Sequence, residues 1–232
     1  MIRAAMSKVR RLLLGSNRAR PEDIARFNDD PANPYLVSFP RTGSHWLRVM
    51  MELYFRRPLL VHTFFFPRRR DYLLLHTHDL DLEVRRENVV YLYRDPVDTV
   101  YSQLKYEEDS ISDVERIAHW AGLYGQHLDK WLHVEQFTRK KTVVRYDRLR
   151  DTLHNEFAKL CEHFGVPCDG SRLDTVAARA SKNLVKEKTR HDPHVINTAG
   201  SYEAERRRFR AARADLVWRV LLKDREHLRE AF

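Results

Sequence analysis

Residues 35–46, YLVSFPRTGSHW, constrain this chain more than any other stretch. The run Tyr35-Leu36-Val37-Ser38-Phe39 is short, apolar and bounded by Pro34 and Pro40, the pattern of a buried parallel strand that ends in a turn. Beyond the turn, Trp46, Leu47, Val49, Met50, Met51, Leu53 and Tyr54 make the next segment apolar nearly all round. A buried helix is therefore expected, with Ser44 at its cap or in its first turn. A strand, a tight turn containing Gly43 and a helix direct unpaired backbone N–H groups and a positive dipole end at one spot, which suits a phosphate. Arg41 and the hydroxyls of Thr42 and Ser44 would complete the cradle. The loop does not fit the GxxxxGK[ST] pattern of nucleoside triphosphatases, because no lysine precedes a Ser or Thr at the required place.

Residues 89–106, VVYLYRDPVDTVYSQLKY, repeat the design. A strand, Val89 to Tyr93, delivers Arg94 at its carboxyl end, and Asp95-Pro96 opens a helix carrying Ser102. Between the two stretches, Tyr72-Leu73-Leu74-Leu75-His76-Thr77-His78-Asp79 reads as a short parallel strand. Its last residues, His76, Thr77 and His78, would reach the edge where open α/β sheets bind ligands.

Taken together, SFPRTGSHW and YRDPVDTVYS resemble the two nucleotide motifs of sulfotransferases that use 3′-phosphoadenosine 5′-phosphosulfate (PAPS). The first is similar to that family's 5′-phosphosulfate loop, with Arg41 where lysine is usual. The second is similar to its 3′-phosphate motif, an arginine and a serine eight residues apart. The resemblance implies that Arg41, Thr42, Gly43, Ser44 and His45 hold the 5′-phosphosulfate, and that Arg94 and Ser102 hold the 3′-phosphate. It also implies that His78 is the catalytic base of a Thr-His pair in which His76 replaces a lysine. Trp46 offers an aromatic face for adenine. The span VVRYDRLRDTLHNEFAKLCEHFGV is similar to a strand, turn and helix of the same family, which implies Tyr146 near the adenine, with Ser181 and Lys182 near its edge. The chain departs from the family after residue 188. The usual Arg-Lys-Gly before Gly-Asp-Trp is replaced by Val195-Ile196-Asn197 before Gly200-Ser201-Tyr202, so Lys188, Arg190 or the run Arg206 to Arg208 are the candidates for the missing cations.

At 232 residues and 43% hydrophobic content the chain can bury one sizeable core. The expected fold is a single α/β domain with a mainly parallel central sheet flanked by helices, a P-loop nucleotide-kinase-like architecture. Residues 1–34 read as a basic N-terminal segment and lead-in loop, and 35–232 as the sulfotransferase domain. Residues 1–20 hold several Lys and Arg but no acid, with apolar residues at helical spacing, compatible with a membrane-surface or targeting helix or with a packed terminal helix. No apolar run approaches the ~20 residues of a membrane helix. The two cysteines, Cys161 and Cys168, form neither a disulfide framework nor a zinc-like cluster, which suits a reducing, cytoplasmic setting.

A net charge of +9 draws anionic ligands without naming them. Phe64, Phe65 and Phe66 could wall an acceptor pocket or fill core. Helices are expected over 113–132, from Leu153 to Phe164, from Leu173 to Lys188 and from Ala214 to Phe232, with a strand at Thr142 to Tyr146 and a polar loop at 189–202. The function expected is sulfonate transfer from PAPS to a hydroxyl or amine of a small-molecule or glycan acceptor, with 3′-phosphoadenosine 5′-phosphate (PAP) released. No metal, nucleic-acid partner or integral membrane association is expected. A small-molecule kinase on the same scaffold, or a basic nucleic-acid-binding module, are the competing readings; the missing P-loop lysine counts against the first, and the second rests on charge alone.

Overall fold

The computed structural model describes residues 19–133, 138–190 and 200–232. The expected basic N-terminal helix and the Val195-Ile196-Asn197 segment lie outside these residues.

Four strands, β1 (Tyr35–Ser38), β2 (Leu75–Thr77), β3 (Asn88–Tyr93) and β4 (Lys140–Arg145), form an all-parallel sheet in the order β2-β1-β3-β4. Parallel neighbours need crossovers, and the helices supply them. They are α1 (Pro21–Asn28), α2 (Ser44–Phe55), α3 (Pro96–Glu107), α4 (Val114–His133), α5 (Tyr146–Asp151), α6 (Leu153–His163), α7 (Gly170–Arg179), α8 (Lys182–Lys188) and α9 (Tyr202–Leu221), followed by a 3₁₀ turn at Glu226–Ala231.

Alternation along the strands divides the core between the two faces of the sheet. Leu36, Val90, Leu92 and Val144 face α2, α6, α7 and α8, where they meet Met50, Met51, Phe157, Leu160, Leu173 and Val185. Tyr35, Val37, Val89, Tyr91 and Tyr93 face the other way, onto Leu128 and Trp131 of α4 and Leu221 and Leu228 near the end of the chain. Every residue of β1 is buried, so both faces of the central strand are covered, as in other α/β sheets.

The chain leaves β1 toward β2 and leaves β3 toward β4. The carboxyl ends of β1 and β3 thus flank the topological switch point, the place where an open parallel sheet opens a crevice.

Four local expectations are corrected. The Asp-, Asn- and Pro-rich stretch expected as a loop over 21–34 contains α1, which starts with proline and has Glu22 and Asp23 in its first turn. Phe27 anchors it in the core. The helix expected over 173–188 starts earlier, at Gly170, and is two helices. Chain direction breaks at Ala180, and Ser181 caps α8 by accepting from Leu184 N–H at 3.3 Å. The closing helix begins at Tyr202 rather than Ala214 and ends at Leu221. Of the eight residues expected in the strand from Tyr72 to Asp79, only Leu75–Thr77 pair with β1.

Candidate active site

At the end of β1 the chain turns through Arg41 and Gly43, both with positive φ (70° and 94°), and Gly43 becomes the N-cap of α2 without any side-chain cap bond. Only glycine fits at 43 without strain. A Cβ there would run into the ring of Tyr146, which lies against the turn. The Thr42 hydroxyl donates to Phe39 O at 2.8 Å and closes the turn, so its hydrogen is engaged inside the loop and not directed outward. Ser44 is the first residue of α2 and is buried. The early N–H groups of α2 point at the space in front of the turn, as the first turn of any helix must.

Asp95 caps α3 by accepting from Asp98 N–H at 2.9 Å, with Pro96 in the first turn. This fixes the direction of Asp98 and Ser102, four apart on one face of α3, while Arg94 lies just before the cap and reaches Asp98 from there. Tyr124, from α4, clamps the backbone of Arg94 on both sides: its hydroxyl donates to Arg94 O (2.7 Å) and accepts from Arg94 N–H (3.0 Å). The Arg94 guanidinium donates to Arg41 O (3.4 Å) and to Asp98 Oδ2 (3.3 Å), and lies 4.9 Å from the centre of the Tyr146 ring. Arg41 Nε in turn donates to Ser102 Oγ at 3.2 Å. The two motifs, separated by more than fifty residues in sequence, thus close on one another.

Tyr146 and Trp46 meet edge to face at 5.9 Å, and the Trp46 indole donates to Ala180 O at 3.0 Å. An aromatic corner therefore stands beside the turn at 41–45.

His78 lies just past β2. Its Nδ1 is 2.7 Å from Ser38 O. A carbonyl only accepts, so Nδ1 carries the hydrogen and Nε2 carries the lone pair. The other side of this residue is also held: His127 Nε2–H donates to His78 O (2.9 Å), and the Tyr91 hydroxyl donates to His127 Nδ1 (2.9 Å). Asp79 follows with φ 36°, its carboxylate bonded by Arg86 and by the Thr77 hydroxyl. Such a sharp reversal needs several contacts to hold it. His76 packs edge to face on His78 at 4.8 Å, with its Nε2 3.0 Å from Ser38 Oγ. Ser38 thus anchors both rings.

The imidazoles here are kept neutral. Burial lowers His78, opposed by its bond to Ser38 and reinforced by Arg48 and Arg41. His76 and His45 are pushed well below their ordinary value, first by burial and then by Arg48. His127 falls to about 3, mainly through burial. A neutral His78 with an unprotonated Nε2 is in the form a general base requires.

Arg48 is almost wholly buried. It donates to Val61 O and His62 O, each at 3.3 Å, and burial lowers it to about 10. Glu52, one turn on, receives the N–H groups of Phe64 (2.6 Å), Phe65 (3.1 Å) and Phe66 (3.3 Å) together with the Thr63 hydroxyl. One carboxylate therefore organises the loop that carries the three phenylalanines. Phe64 belongs to the core, Phe65 lies under Arg179 and Lys188, and Phe66 under Arg69.

Arg41, Thr42, Gly43, Ser44, His45, Arg94, Ser102, Tyr146 and Trp46 gather at the switch point, and His76 and His78 hang from Ser38 at its edge. Ser181 follows Ala180, whose carbonyl accepts from the Trp46 indole, and its own hydroxyl is occupied as a helix cap. Sequence reading missed Tyr124, His127, Arg48 and Glu52. The only available signal was a polar residue amid apolar ones, as at His127 between Tyr124, Leu128 and Trp131. No group of three or more His, Cys, Asp or Glu residues among the described residues could hold a metal ion.

With this geometry in hand, a family model described as the sulfotransferase domain matches residues 73–229, more than half of the chain. The chain belongs to the sulfotransferase domain family. The match takes in His78, Arg94, Ser102 and Tyr146 but begins after the turn at 39–45, whose reading rests on its own geometry. Two solved structures are similar in fold. Mouse sulfotransferase SULT7A1 complexed with PAP has a TM-score of 0.59 at 14% identity, over 91% of this chain and 92% of that one. Retinol dehydratase in complex with androsterone and the inactive cofactor PAP has a TM-score of 0.57 at 14% identity, over 85% and 83%. A sequence search of curated proteins finds no match. No helix among the described residues is long and apolar enough to cross a membrane.

Proposed function

We propose that this protein transfers a sulfonate group from PAPS to a hydroxyl or amine acceptor, releasing PAP. The observation that carries the reading is the state of His78: Nδ1–H is committed to Ser38 O, which leaves the Nε2 lone pair available beside the turn at 41–45. Family membership supports the reaction class.

The residues present fit the nucleotide. Gly43 keeps its turn free of a side chain, and Arg94 Nε is buried with no hydrogen-bond partner among the described residues. In the proposed reaction His78 Nε2 takes the acceptor proton as the acceptor oxygen or nitrogen bonds to sulfur. The bond from sulfur to the 5′-phosphate oxygen breaks. Arg41 and the first N–H groups of α2 would stabilise the charge left on that oxygen. Arg94 and Ser102 would bind the 3′-phosphate, and Tyr146 and Trp46 the adenine. The acceptor is a small molecule or a glycan, and His76 with the 63–66 loop borders its side of the crevice. The sulfotransferase domain runs over 35–232 with α1 packed on it, and the two thiols suit a cytoplasmic setting.

Two measurements test this. Calorimetric titration should give PAP binding well above that of adenosine 5′-phosphate or of ATP with Mg²⁺; preference for ATP with Mg²⁺ would favour a kinase instead. His78→Gln should lower kcat by about 10²–10⁴-fold while leaving PAP affinity unchanged. Retained turnover would remove His78 as the base.

A further inference from the structure

Away from the crevice, the turn between α6 and α7 folds the chain's two cysteines onto each other. Cys161 lies near the end of α6. Gly165, with φ 65°, ends that helix, and the reversal is closed by Val166 N–H donating to Cys161 O (2.9 Å) and Gly165 N–H donating to Glu162 O (3.0 Å). Pro167 then leads directly to Cys168. The Cys161 thiol is left with two polar neighbours, the Cys168 thiol and the Tyr54 hydroxyl, and that hydroxyl also reaches Cys168. Tyr54 comes from α2 and accepts from Asp169 N–H at 2.7 Å; Asp169 in turn caps α7 by accepting from Arg172 N–H at 3.0 Å. At the other end of α7, Ala180 O takes the indole of Trp46, also from α2. Thus α7 is tied to α2 at both ends, and the two thiols sit at the first tie. The proposed sulfonate transfer uses neither of them.

We propose that Cys161 and Cys168 are a redox pair that closes to an internal disulfide under peroxide and reopens with a dithiol, clasping the start of α7 to the end of α6. The thiols already adjoin, so closure needs no refolding of the turn. Their environments divide the work: Cys168 is exposed and meets the oxidant, whereas Cys161 is buried and shielded from it. Burial also raises the Cys161 thiol to about 11, which keeps it protonated and inert toward the oxidant itself. In the first step Cys168 Sγ attacks a peroxide oxygen, the O–O bond breaks, and a sulfenic acid and one water result. In the second, Cys161 Sγ attacks the Cys168 sulfur, the S–O bond breaks, and the departing hydroxide takes the Cys161 proton as a second water. Two thiols are oxidised by two electrons and one peroxide is reduced to two waters. Thiol–disulfide exchange with a dithiol reverses the change. In a reducing compartment the resting form is the open dithiol, and closure marks oxidative conditions.

The experiment treats wild type and Cys168→Ser with hydrogen peroxide and returns half of each sample to dithiothreitol. Oxidised wild type should lose the mass of two hydrogen atoms, gain no covalent partner, and offer no thiol to an alkylating reagent after denaturation. Closing the eight-residue loop from Cys161 to Cys168 should raise Tm by about 5–10 °C. Amide exchange over α7 should slow, because its first turn is then covalently held. Dithiothreitol should reverse all of these changes. Cys168→Ser alters an exposed position, so it should fold as wild type does and show neither shift. An alkylatable Cys161 remaining after Cys168 has gained oxygen would overturn the proposal, as would covalent dimers in place of the internal bond. A disulfide that forms without moving Tm or α7 exchange would overturn the clasp.

Discussion

Replacing Gly43 by alanine separates two costs that the structure assigns to one position. The backbone there has φ 94°, in the region where a β-carbon is disfavoured by about 1–2 kcal/mol. Independently, the new methyl would meet the Tyr146 ring, an overpacking of the kind that costs about 1–3 kcal/mol when the neighbours cannot retreat. Tyr146 has little room to do so, because Trp46 meets its edge and Arg94 lies on its face. Gly43→Ala should therefore lower stability by about 2–4 kcal/mol. A double-mutant cycle with Tyr146→Ala, followed by urea denaturation, assigns the parts. With the ring gone, the alanine should cost only the backbone share, so the two changes should couple by about 1–3 kcal/mol. Additivity within about 0.5 kcal/mol would refute the steric argument and leave backbone strain as the whole effect. The same cycle read by PAP titration asks whether the turn at 41–45 must keep its shape for the nucleotide: Gly43→Ala should weaken PAP even at temperatures where it is fully folded.

Two further outcomes concern the frame around the site. Glu52→Gln should cost about 2–4 kcal/mol in chemical denaturation, because an amide NH₂ would face N–H donors from Phe64, Phe65 and Phe66 that the carboxylate now satisfies; a loss under about 1 kcal/mol would mean the loop finds other partners. Acidification should destabilise the fold from about pH 6.5 downward, because the unfolded chain protonates His127 there while the folded one resists until about pH 3. The unfolded state then binds more protons, so stability falls with falling pH, by about 1.4 kcal/mol per pH unit for this residue alone. His127→Gln should flatten the slope between pH 6 and 4 by that amount, and an unchanged slope would contradict the assignment of His127 as a buried neutral group.

The features legible in sequence are those governed by local rules. β1, the turn and α2 follow from the apolar run, the prolines and the glycine, and β3 with α3 from the same pattern and the Asp-Pro cap. The position of His78 at the end of β2 followed too, although β2 itself is shorter than its apolar run. What stayed hidden depends on partners distant in sequence. The first half of α9, YEAERRRFRA, carries charge nearly all round and buries only Phe209, so it has no apolar stripe to read. It is helical because Arg206 pairs with Glu203 along the helix and, with Arg210, reaches across to Asp95 and Asp98. The break at Ala180 is equally non-local, since the indole of Trp46 takes the carbonyl that a continuous helix would have used.

The same distinction explains why residue identity at the site misleads when read singly. Thr42 and Ser181 look like phosphate or base ligands from sequence, yet each hydroxyl closes a local turn or caps a helix, the commonest use of such residues. His127 and Tyr91 look like core, yet they fix the carbonyl of His78 and so the direction of its ring. A base must be held as well as tuned. Ser38 on the ring, His127 on the carbonyl and Arg86 on the next carboxylate hold His78 at three points, while burial and Arg48 keep it neutral. Because those holds come from β1, α4 and the loop before β3, they exist only once the sheet has assembled. The placement of His78 and the fold are in that sense one structure, and under the proposed role of His78 a variant that loosens any of the three holds should lower kcat before it lowers nucleotide affinity.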